Sequence, residues 1–270
     1  MDDRPIGVFD SGLGGLTTVR ELCRLLPEED IVYFGDTGRV PYGSRSRETI
    51  VKYARQDVAF LRTFDLKAIV IACGTVSTTA LDVLAAENPI PVLGVVAPAA
   101  AAAAQATRNG KIGLIGTQAS IRSGAYERLI RAENPAARVL AQPCPLFVPL
   151  VENGRFRPGD VVIETVAAEY LAPLKAAGVD TLVLGCTHYP LLEEVIGAYM
   201  GPEVRLINSG AEGARAAADC LRERDALAGP GRGSCRCFVS DRQEDFSRLA
   251  STFLGWDVAQ AVEQVDISQY

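Results

Sequence analysis

The fold is decided by the stretch IGVFDSGLGGLTTVRELCRLL, residues 6–26. The apolar run of residues 6–9 is typical of a buried strand, and the glycine-rich turn of residues 11–15 follows it. From Leu16 to Leu26 the apolar residues recur at helical spacing. A strand that passes through a tight turn into a helix begins a parallel α/β unit. We therefore predict a parallel sheet that is covered by helices on both faces.

The same alternation continues along the chain and then restarts. Further strands are predicted at residues 31–34, 68–72, 111–115, 139–141, 181–184, 204–207 and 237–239, and helices at 47–63, 97–104, around 126–129, 158–177 and 211–227. Two strand motifs recur: IGV at 6–8 returns as IGL at 112–114, and IVIAC at 69–73 returns as LVLGC at 182–186. This internal repeat predicts two similar α/β halves.

The domain boundaries follow from this repeat. One domain is predicted to contain residues 1–97 plus 208–270, and the other residues 98–207. The region after residue 207 is short for an independent domain, so we expect it to dock on the first half. The total length of 270 residues agrees with about two domains.

Composition excludes several classes of protein. A hydrophobic content of 48% allows a large core, and a net charge of −6 argues against a nucleic-acid binder. The start of the chain has no signal-peptide pattern, and prolines and a glycine interrupt the longest apolar run, residues 90–104. We expect a cytoplasmic protein with reduced thiols and with neither a nucleic-acid nor a membrane partner.

Cofactor and metal motifs are missing from the sequence. There is no phosphate-binding G-x-x-x-x-G-K-[ST] motif, and residues 12–15 do not match the dinucleotide fingerprint. Cys235-x-Cys237 lacks a partner pair for zinc and is expected to lie on one face of a strand. No lysine is predicted at the carboxyl end of a strand, where a pyridoxal enzyme would need one. We therefore predict no metal and no cofactor.

Two cysteines occupy equivalent positions in the two halves. Cys73 and Cys186 each end an apolar strand and open a turn that leads to a helix. A thiol at a helix N-terminus is expected to have a lowered pKa. Two such thiols on opposite sides of a ligand suit proton removal from one face of a carbon atom and proton return on the other. The alternative interpretation is that both are ordinary buried core cysteines.

Other polar residues gather at the same strand ends. His188 is the only histidine of the chain, and its place two residues after Cys186 suits an acid or a group that stabilises a thiolate. Asp10 could cap a helix, accept a proton from a thiol or bind an ammonium group. Ser11 and Thr75 could be helix caps or donors to a carboxylate.

The motifs resemble a known family. Residues 6–15, the segments GDT at 35–37 and PYG at 41–43, and LGCTHYPL at 184–191 are similar to those of the glutamate racemases. These enzymes are cofactor-independent members of the aspartate/glutamate racemase superfamily. The resemblance covers most of the chain, including PLVE at 149–152. It implies an α/β fold with two flavodoxin-like parallel-sheet domains that face each other across an active-site cleft.

The resemblance also implies roles for individual residues. Cys73 and Cys186 would be the two acid/base groups, one for each enantiomer, and Asp10 and His188 would assist their respective thiols. Asp36 and Glu152 would support the site. The implied substrate-binding set is Asp10, Ser11, Tyr42, Gly43, Gly74, Thr75, Thr187 and His188. The implied product is D-glutamate for bacterial peptidoglycan synthesis, and the implied assembly is a homodimer.

One position departs from the family pattern. The family usually has Asn after the first cysteine, and this chain has Gly74. The missing amide would ordinarily contact the substrate, and loss of one polar partner typically costs about 1–3 kcal/mol. Two alternatives to glutamate racemisation stay open, and Gly74 motivates the first of them. One is a related cofactor-free racemase for aspartate or another amino acid, and the other is a catalytically silent binding protein on the same fold.

Overall fold

The computed structural model of the protein describes residues 1–256 and 262–270, without the side chains of 243–245 and 248. Within these residues the chain forms ten strands, all in parallel pairs. They are β1 (Ile6–Asp10), β2 (Ile31–Gly35), β3 (Ala68–Ile71), β4 (Val92–Gly94), β5 (Lys111–Gly116), β6 (Arg138–Pro143), β7 (Thr181–Leu184), β8 (Arg205–Asn208), β9 (Cys235–Val239) and β10 (Val262–Gln264).

Twelve α-helices connect these strands in the described part of the chain. They are α1 (Leu16–Leu25), α2 (Arg47–Leu61), α3 (Gly74–Thr79), α4 (Leu81–Glu87), α5 (Val96–Ala106), α6 (Gln118–Ser123), α7 (Ala125–Glu133), α8 (Phe147–Glu152), α9 (Val161–Ala176), α10 (Glu193–Met200), α11 (Ser209–Glu223) and α12 (Gln243–Leu254). Short 3-10 helices lie at Thr37–Arg39, Tyr42–Ser44, Tyr189–Leu192 and Ile267–Gln269. None of the described helices combines the length and the apolar character that crossing a membrane requires.

The strands form two sheets with the same central order. The first sheet is β10-β9-β2-β1-β3-β4, and the second is β6-β5-β7-β8. Four strands of each sheet therefore share one arrangement, in which β5 corresponds to β1 and β7 to β3. This strand order is the one found in flavodoxin-like α/β folds. The predicted fold class is confirmed, and the internal repeat corresponds to β1 with β5 and β3 with β7.

The region after residue 207 joins the first sheet through its strands. β9 pairs with β2, with Ile31 opposite Cys235, and β10 pairs with β9. Helix α11 packs against α1 of the first half and α5 of the second. The docking of this region is as predicted, whereas the domain boundaries stay a prediction, and residues 257–261 of the first domain lie outside the described residues.

Several elements differ from the sequence prediction. The helix expected around residues 126–129 is α7, and a separate helix α6 precedes it, because Gly124 between them has a left-handed φ of +62°. Helix α9 begins at Val161 rather than Pro158, since the Asp160 side chain accepts a hydrogen bond from the backbone N–H of Val162. The short strand β4 was not predicted, because its three residues lie inside a longer apolar run.

A shared core joins the two sheets. One continuous cluster of buried apolar side chains includes Val8 and Leu16 of the first half and Leu182 and Leu184 of the second. The opposite faces of the two sheets have separate clusters. The two halves are therefore held against each other by apolar packing, with the carboxyl ends of β1, β3, β5 and β7 directed to one region.

Candidate active site

Each sheet borders one common cavity at the place where its strand order reverses. In each sheet the strand order reverses between two adjacent strands, β1 and β3 in the first and β5 and β7 in the second. Ligands of open α/β sheets bind at this switch point, beyond the carboxyl ends of the strands. The residues that follow these four strands line a cavity of about 350 Å³.

Ten of the twelve predicted site residues line this cavity. They are Ser11, Tyr42, Gly43, Cys73, Gly74, Thr75, Glu152, Cys186, Thr187 and His188. The remaining two, Asp10 and Asp36, are fully buried and are not part of the cavity lining. Most of the predicted site residues therefore line one cavity, and the structure brings the two halves of the predicted set together.

Cys73 lies on the side of the first sheet. It is the N-cap residue of α3, it is 4% exposed, and its Sγ donates a hydrogen bond to Oγ of Ser11 at 3.4 Å. Burial, reinforced by the nearby Asp10 carboxylate, raises the pKa of Cys73 to about 12. The expected lowering of this pKa by the helix N-terminus is therefore wrong, because desolvation of the thiolate outweighs the hydrogen bonds from Ser11 and the α3 backbone.

Asp10 links the two halves from beneath the cavity. Its carboxylate accepts hydrogen bonds from the backbone N–H of Gly12 at 3.0 Å and from Oγ1 of Thr187 at 3.4 Å. Burial raises the pKa of Asp10, and the positive charge of His188 opposes that rise. Asp10 is therefore positioned to influence Cys73 through its charge, while Ser11 makes the hydrogen bond with the thiol.

Cys186 lies on the side of the second sheet beside an imidazole and a carboxylate. Its Sγ is 3.9 Å from Nδ1 of His188, and Nε2 of His188 is 2.9 Å from Oε1 of Glu152. Burial by itself would lower the pKa of His188, but the contacts with Cys186 and Glu152 outweigh it and raise this pKa to about 10. His188 is therefore an imidazolium at neutral pH and donates from both ring nitrogens.

Cys186 does not lie at a helix N-terminus, contrary to the prediction. The chain first turns, and a short 3-10 helix begins at Tyr189 with His188 as its N-cap residue. The side-chain contact of Cys186 is therefore with Nδ1 of His188.

Asp36 supports the cavity wall from behind. Its carboxylate accepts hydrogen bonds from the hydroxyl of Tyr42, from Nε of Arg39 at 2.5 Å and from Oγ of Ser240 at 2.7 Å. The Tyr42 hydroxyl also lies 3.2 Å from Oδ2 of Asp57, and burial together with Asp36 raises the pKa of Asp57 well above its usual range. This buried network orients the segment Tyr42–Ser44, which forms one edge of the cavity.

Thr117 was missed by the sequence prediction. It follows β5, lines the cavity, and its Oγ1 is 3.0 Å from Oγ1 of Thr75 across the two halves. The internal repeat could have found it, because the separation between the IGV and IGL motifs carries Ser11 onto Thr117.

Cys144 is a third thiol in the cavity lining, and the predicted site did not include it. It is fully buried at the end of β6, and its Sγ is 3.5 Å from the carbonyl oxygen of Gln142. Burial raises its pKa above the ordinary value of a thiol. Nothing in the sequence around Cys144 separates it from the core cysteines, so its position depended on the tertiary structure.

A larger cavity of about 760 Å³ lies between helices α2–α5 and helices α6–α7. It is lined by Arg45, Arg47, Arg122 and Arg128, and by none of the twelve predicted site residues. The smaller cavity is the candidate active site, because a thiol from each half borders it. Within residues 1–256 and 262–270 no group of three or more His, Cys, Asp or Glu side chains could hold a metal ion.

Sequence and structure comparisons agree on the relatives of this chain. Residues 9–217 match the Asp/Glu/hydantoin racemase family. The chain is 48% identical over 256 residues to the glutamate racemase of Geobacter metallireducens, covering 94% of each chain. Its structure is similar to a glutamate racemase isoform of Bacillus anthracis, with a TM-score of 0.93, 38% identity and 98% of each chain covered.

A second solved relative was determined with a ligand. The structure is similar to the glutamate racemase of Francisella tularensis in complex with D-glutamate. The TM-score is 0.92 at 38% identity, and all of each chain is covered.

Proposed function

The chain belongs to the Asp/Glu/hydantoin racemase family and is an amino-acid racemase, and we propose that it interconverts L- and D-glutamate with Cys73 and Cys186 as the two acid/base groups. The observation that carries this proposal is the thiol that each half contributes to one cavity, at the ends of the equivalent strands β3 and β7.

The proposed reaction removes the proton from one face of Cα and adds another proton to the opposite face. One cysteine, as thiolate, removes the Cα proton and becomes a thiol, and the electron pair stays on the substrate. The other cysteine, as thiol, donates its proton to the opposite face of Cα and becomes a thiolate. No oxidant or reductant is needed, because proton transfer is the whole of the chemistry.

The two thiols have different surroundings. The Cys73 pKa of about 12 favours the neutral thiol, which is the proton donor. His188, with a pKa of about 10, presents an imidazolium N–H to the Cys186 sulfur, and this suits a thiolate that accepts a proton.

The substrate is proposed to be held by hydroxyl and backbone donors from both halves. The proposed contacts are Ser11, Tyr42, Gly43, Gly74, Thr75, Thr187 and His188, with Asp10 as a charge near the ammonium group and Asp36 and Glu152 as supports. Thr117 joins this set through its contact with Thr75. Hydroxyls and backbone N–H groups near helix N-termini suit carboxylates.

Glutamate is proposed as the substrate because the relatives that cover nearly all of the chain are named glutamate racemases, and one was solved with D-glutamate. Gly74 keeps aspartate or another amino acid as the second candidate. A turnover panel of L- and D-amino acids separates them. A higher kcat/KM for aspartate than for glutamate would replace the proposed substrate and leave the chemistry unchanged.

The two-thiol mechanism is tested by single substitutions. Cys73→Ser and Cys186→Ser should each lower racemisation by about 10²–10⁴, the usual contribution of an acid/base group. The measurement is the rate at which deuterium from D₂O replaces the Cα proton, with each enantiomer in turn as the starting substrate. Cys220→Ser is the matched control, since Cys220 is a partly buried thiol on α11 away from the cavity.

Each outcome of this test has a distinct meaning. Full turnover in both cysteine variants would exclude the mechanism. A wild-type protein that binds glutamate without any deuterium exchange would instead be a silent binding protein on this fold.

The cellular role is proposed from the reaction. D-glutamate formation by a cytoplasmic enzyme would supply bacterial peptidoglycan synthesis. A homodimer is also proposed, and sedimentation equilibrium over a range of protein concentrations tests it: a monomer mass throughout would exclude the dimer.

A further inference from the structure

Among the residues that the structure describes, the turn after Cys186 offers the carbonyl oxygen of Thr187 no donor of its own. The N–H of Tyr189 donates to the carbonyl oxygen of Cys186 at 3.1 Å, and the same bond recurs two residues later at 3.2 Å. The bond between these two would run from residue 190 to Thr187, but Pro190 has no N–H. The sequence CTHYP therefore leaves one carbonyl group of this segment without a local partner.

Thr17 supplies that donor from the other half of the molecule. Its Oγ1 donates to the carbonyl oxygen of Thr187 at 2.9 Å, across 170 positions of the chain. The same hydroxyl lies 2.9 Å from the carbonyl oxygen of Gly14, which already accepts from the backbone N–H of Thr17 at 3.0 Å. Thr17 is 1% exposed and Thr187 is 5% exposed, so water does not easily replace the hydroxyl. The carbonyl of Thr187 is therefore the group that depends on Thr17.

The first half also encloses the ring of His188. A Cβ atom built on Gly14 would lie 2.6 Å from Nδ1 of His188 and 2.8 Å from its Cε1, so the glycine turn packs directly against the imidazole. Phe253 of α12 also contacts this ring, with the ring centroids 5.6 Å apart and the ring planes at 89°. The imidazole nitrogens contact Cys186 and Glu152 of the second half. Packing from the first half therefore limits where this ring can lie.

We propose that Thr17 is a positioning residue for the segment 186–188, because its hydroxyl fixes the peptide that carries His188 against Cys186. This inference rests on the acid/base role proposed above for that segment. The C=O of Thr187 and the N–H of His188 belong to one planar peptide unit. A carbonyl group that turns towards another donor therefore rotates the start of His188 with it. The first half thus sets the geometry of an acid/base group that the second half carries.

Thr17→Val tests this role, because it removes the hydroxyl at nearly constant side-chain volume. A misplacement of about 1 Å can lower turnover about 10²-fold, so kcat should fall about 10–100-fold in both directions of racemisation. NMR titration of His188, the only histidine, should show its pKa falling from about 10 towards 6.5 as its contacts with Cys186 and Glu152 weaken. Asp10 is the other charged group near this ring.

The matched control is Thr18→Val at the next position of α1. Thr18 is fully buried, and within the described residues its Oγ1 has no hydrogen-bond partner. This variant should therefore keep the wild-type kcat and the wild-type titration of His188. Thr17→Ser keeps the hydroxyl and should restore both readouts.

Pro190→Ala tests the reason for the dependence on Thr17. It gives residue 190 an N–H that can donate to the carbonyl oxygen of Thr187. In this background Thr17→Val should lower kcat much less than it does in the wild-type protein, and a double-mutant cycle measures the difference. The double variant also carries the test if Thr17→Val alone does not fold.

The outcomes separate this inference from the proposed function. A reduced kcat with a shifted His188 titration in Thr17→Val, and a smaller loss in the Pro190→Ala background, support the positioning role. An unchanged kcat or an unchanged titration in Thr17→Val, or equal losses in both backgrounds, overturns it and leaves the two-thiol mechanism in place. A wild-type protein without racemase activity overturns the proposed function, and the titration curves then decide the positioning role by themselves.

Discussion

Cys73 and Cys186 have sulfur atoms in different electrostatic surroundings. Cys73 faces the Ser11 hydroxyl and lies near the Asp10 carboxylate, and its thiolate is disfavoured by burial. Cys186 faces the His188 ring, whose other nitrogen contacts Glu152. Under the proposed two-thiol mechanism, the two directions of racemisation therefore depend on different supporting residues, and each support can be removed separately.

Glu152→Gln is expected to lower the pKa of His188 from about 10 towards 6.5, because the carboxylate is one of the two contacts that raise it. Because this folded-state pKa is raised, the stability from charged His188 is fully present below pH 6.5 and is lost as pH rises through about 10. Glu152→Gln should lose that stability at a lower pH than the wild-type protein. The high-pH limb of kcat/KM should also move to lower pH.

NMR titration measures this pKa directly, because His188 is the only histidine in the chain. Glu194→Gln removes an exposed carboxylate from α10 and is the control, with an unchanged His188 titration. Identical titration curves for wild type and Glu152→Gln would show that Glu152 does not raise the pKa of His188.

At the scale of elements, glycine decides where one predicted helix becomes two. Gly124 ends α6 with a left-handed φ of +62°, its N–H donates to the carbonyl oxygen of Ile121, and α7 begins at the next residue. The spacing of apolar residues through Tyr126 and Leu129 predicted a helix in this region, but it did not predict the boundary between α6 and α7. The boundary matters because α6 begins beside Thr117, whose side chain caps it and contacts Thr75.

Gly124→Ala is expected to destabilise the protein by about 1–2 kcal/mol, the cost of a left-handed conformation for a residue with a Cβ. Urea unfolding measures the change, with Gly231→Ala as the control at a glycine outside the left-handed region. Equal unfolding free energies for the two variants would contradict the assigned strain at residue 124.

At the scale of the whole molecule, polar contacts between the halves are concentrated near the cavity. Oγ1 of Thr17 donates to the carbonyl oxygen of Thr187 at 2.9 Å, Thr187 in turn donates to Asp10, and Thr75 contacts Thr117. A ligand between the thiols would add contacts to both halves at this edge. Ligand binding should therefore stabilise the folded chain as a unit.

D-glutamate at about 100 times its Kd is expected to add about 2.7 kcal/mol to the free energy of unfolding, since it binds the folded state only. Thermal unfolding with and without ligand measures this, with L-lysine as the control because its side chain has the opposite charge. Equal shifts with both ligands, or no shift in an active preparation, would contradict binding between the halves.

Local sequence patterns were enough to predict most of the strands and helices, the two similar halves and the placement of a thiol at each of two equivalent strand ends. These features follow from short-range periodicity, turn residues and a repeated motif, all of which can be read locally. The strand ends also indicated Ser11, Cys73, Thr75, Cys186 and His188, because the carboxyl ends of parallel strands meet at one edge of a sheet. The resemblance to the glutamate racemases supplied the other five residues of the lining: Tyr42, Gly43, Gly74, Thr187 and Glu152.

Only the tertiary structure decided the charge states and the contacts between the halves. The Cys73 pKa is raised where the local helix predicted a lowered one, because burial depends on residues from distant parts of the chain. The contact of Asp10 with Thr187 and the close approach of Gly74 to Gly185 join residues more than 100 positions apart. The packing of the two halves sets the distance between such residues, and local sequence patterns carry no information about that packing.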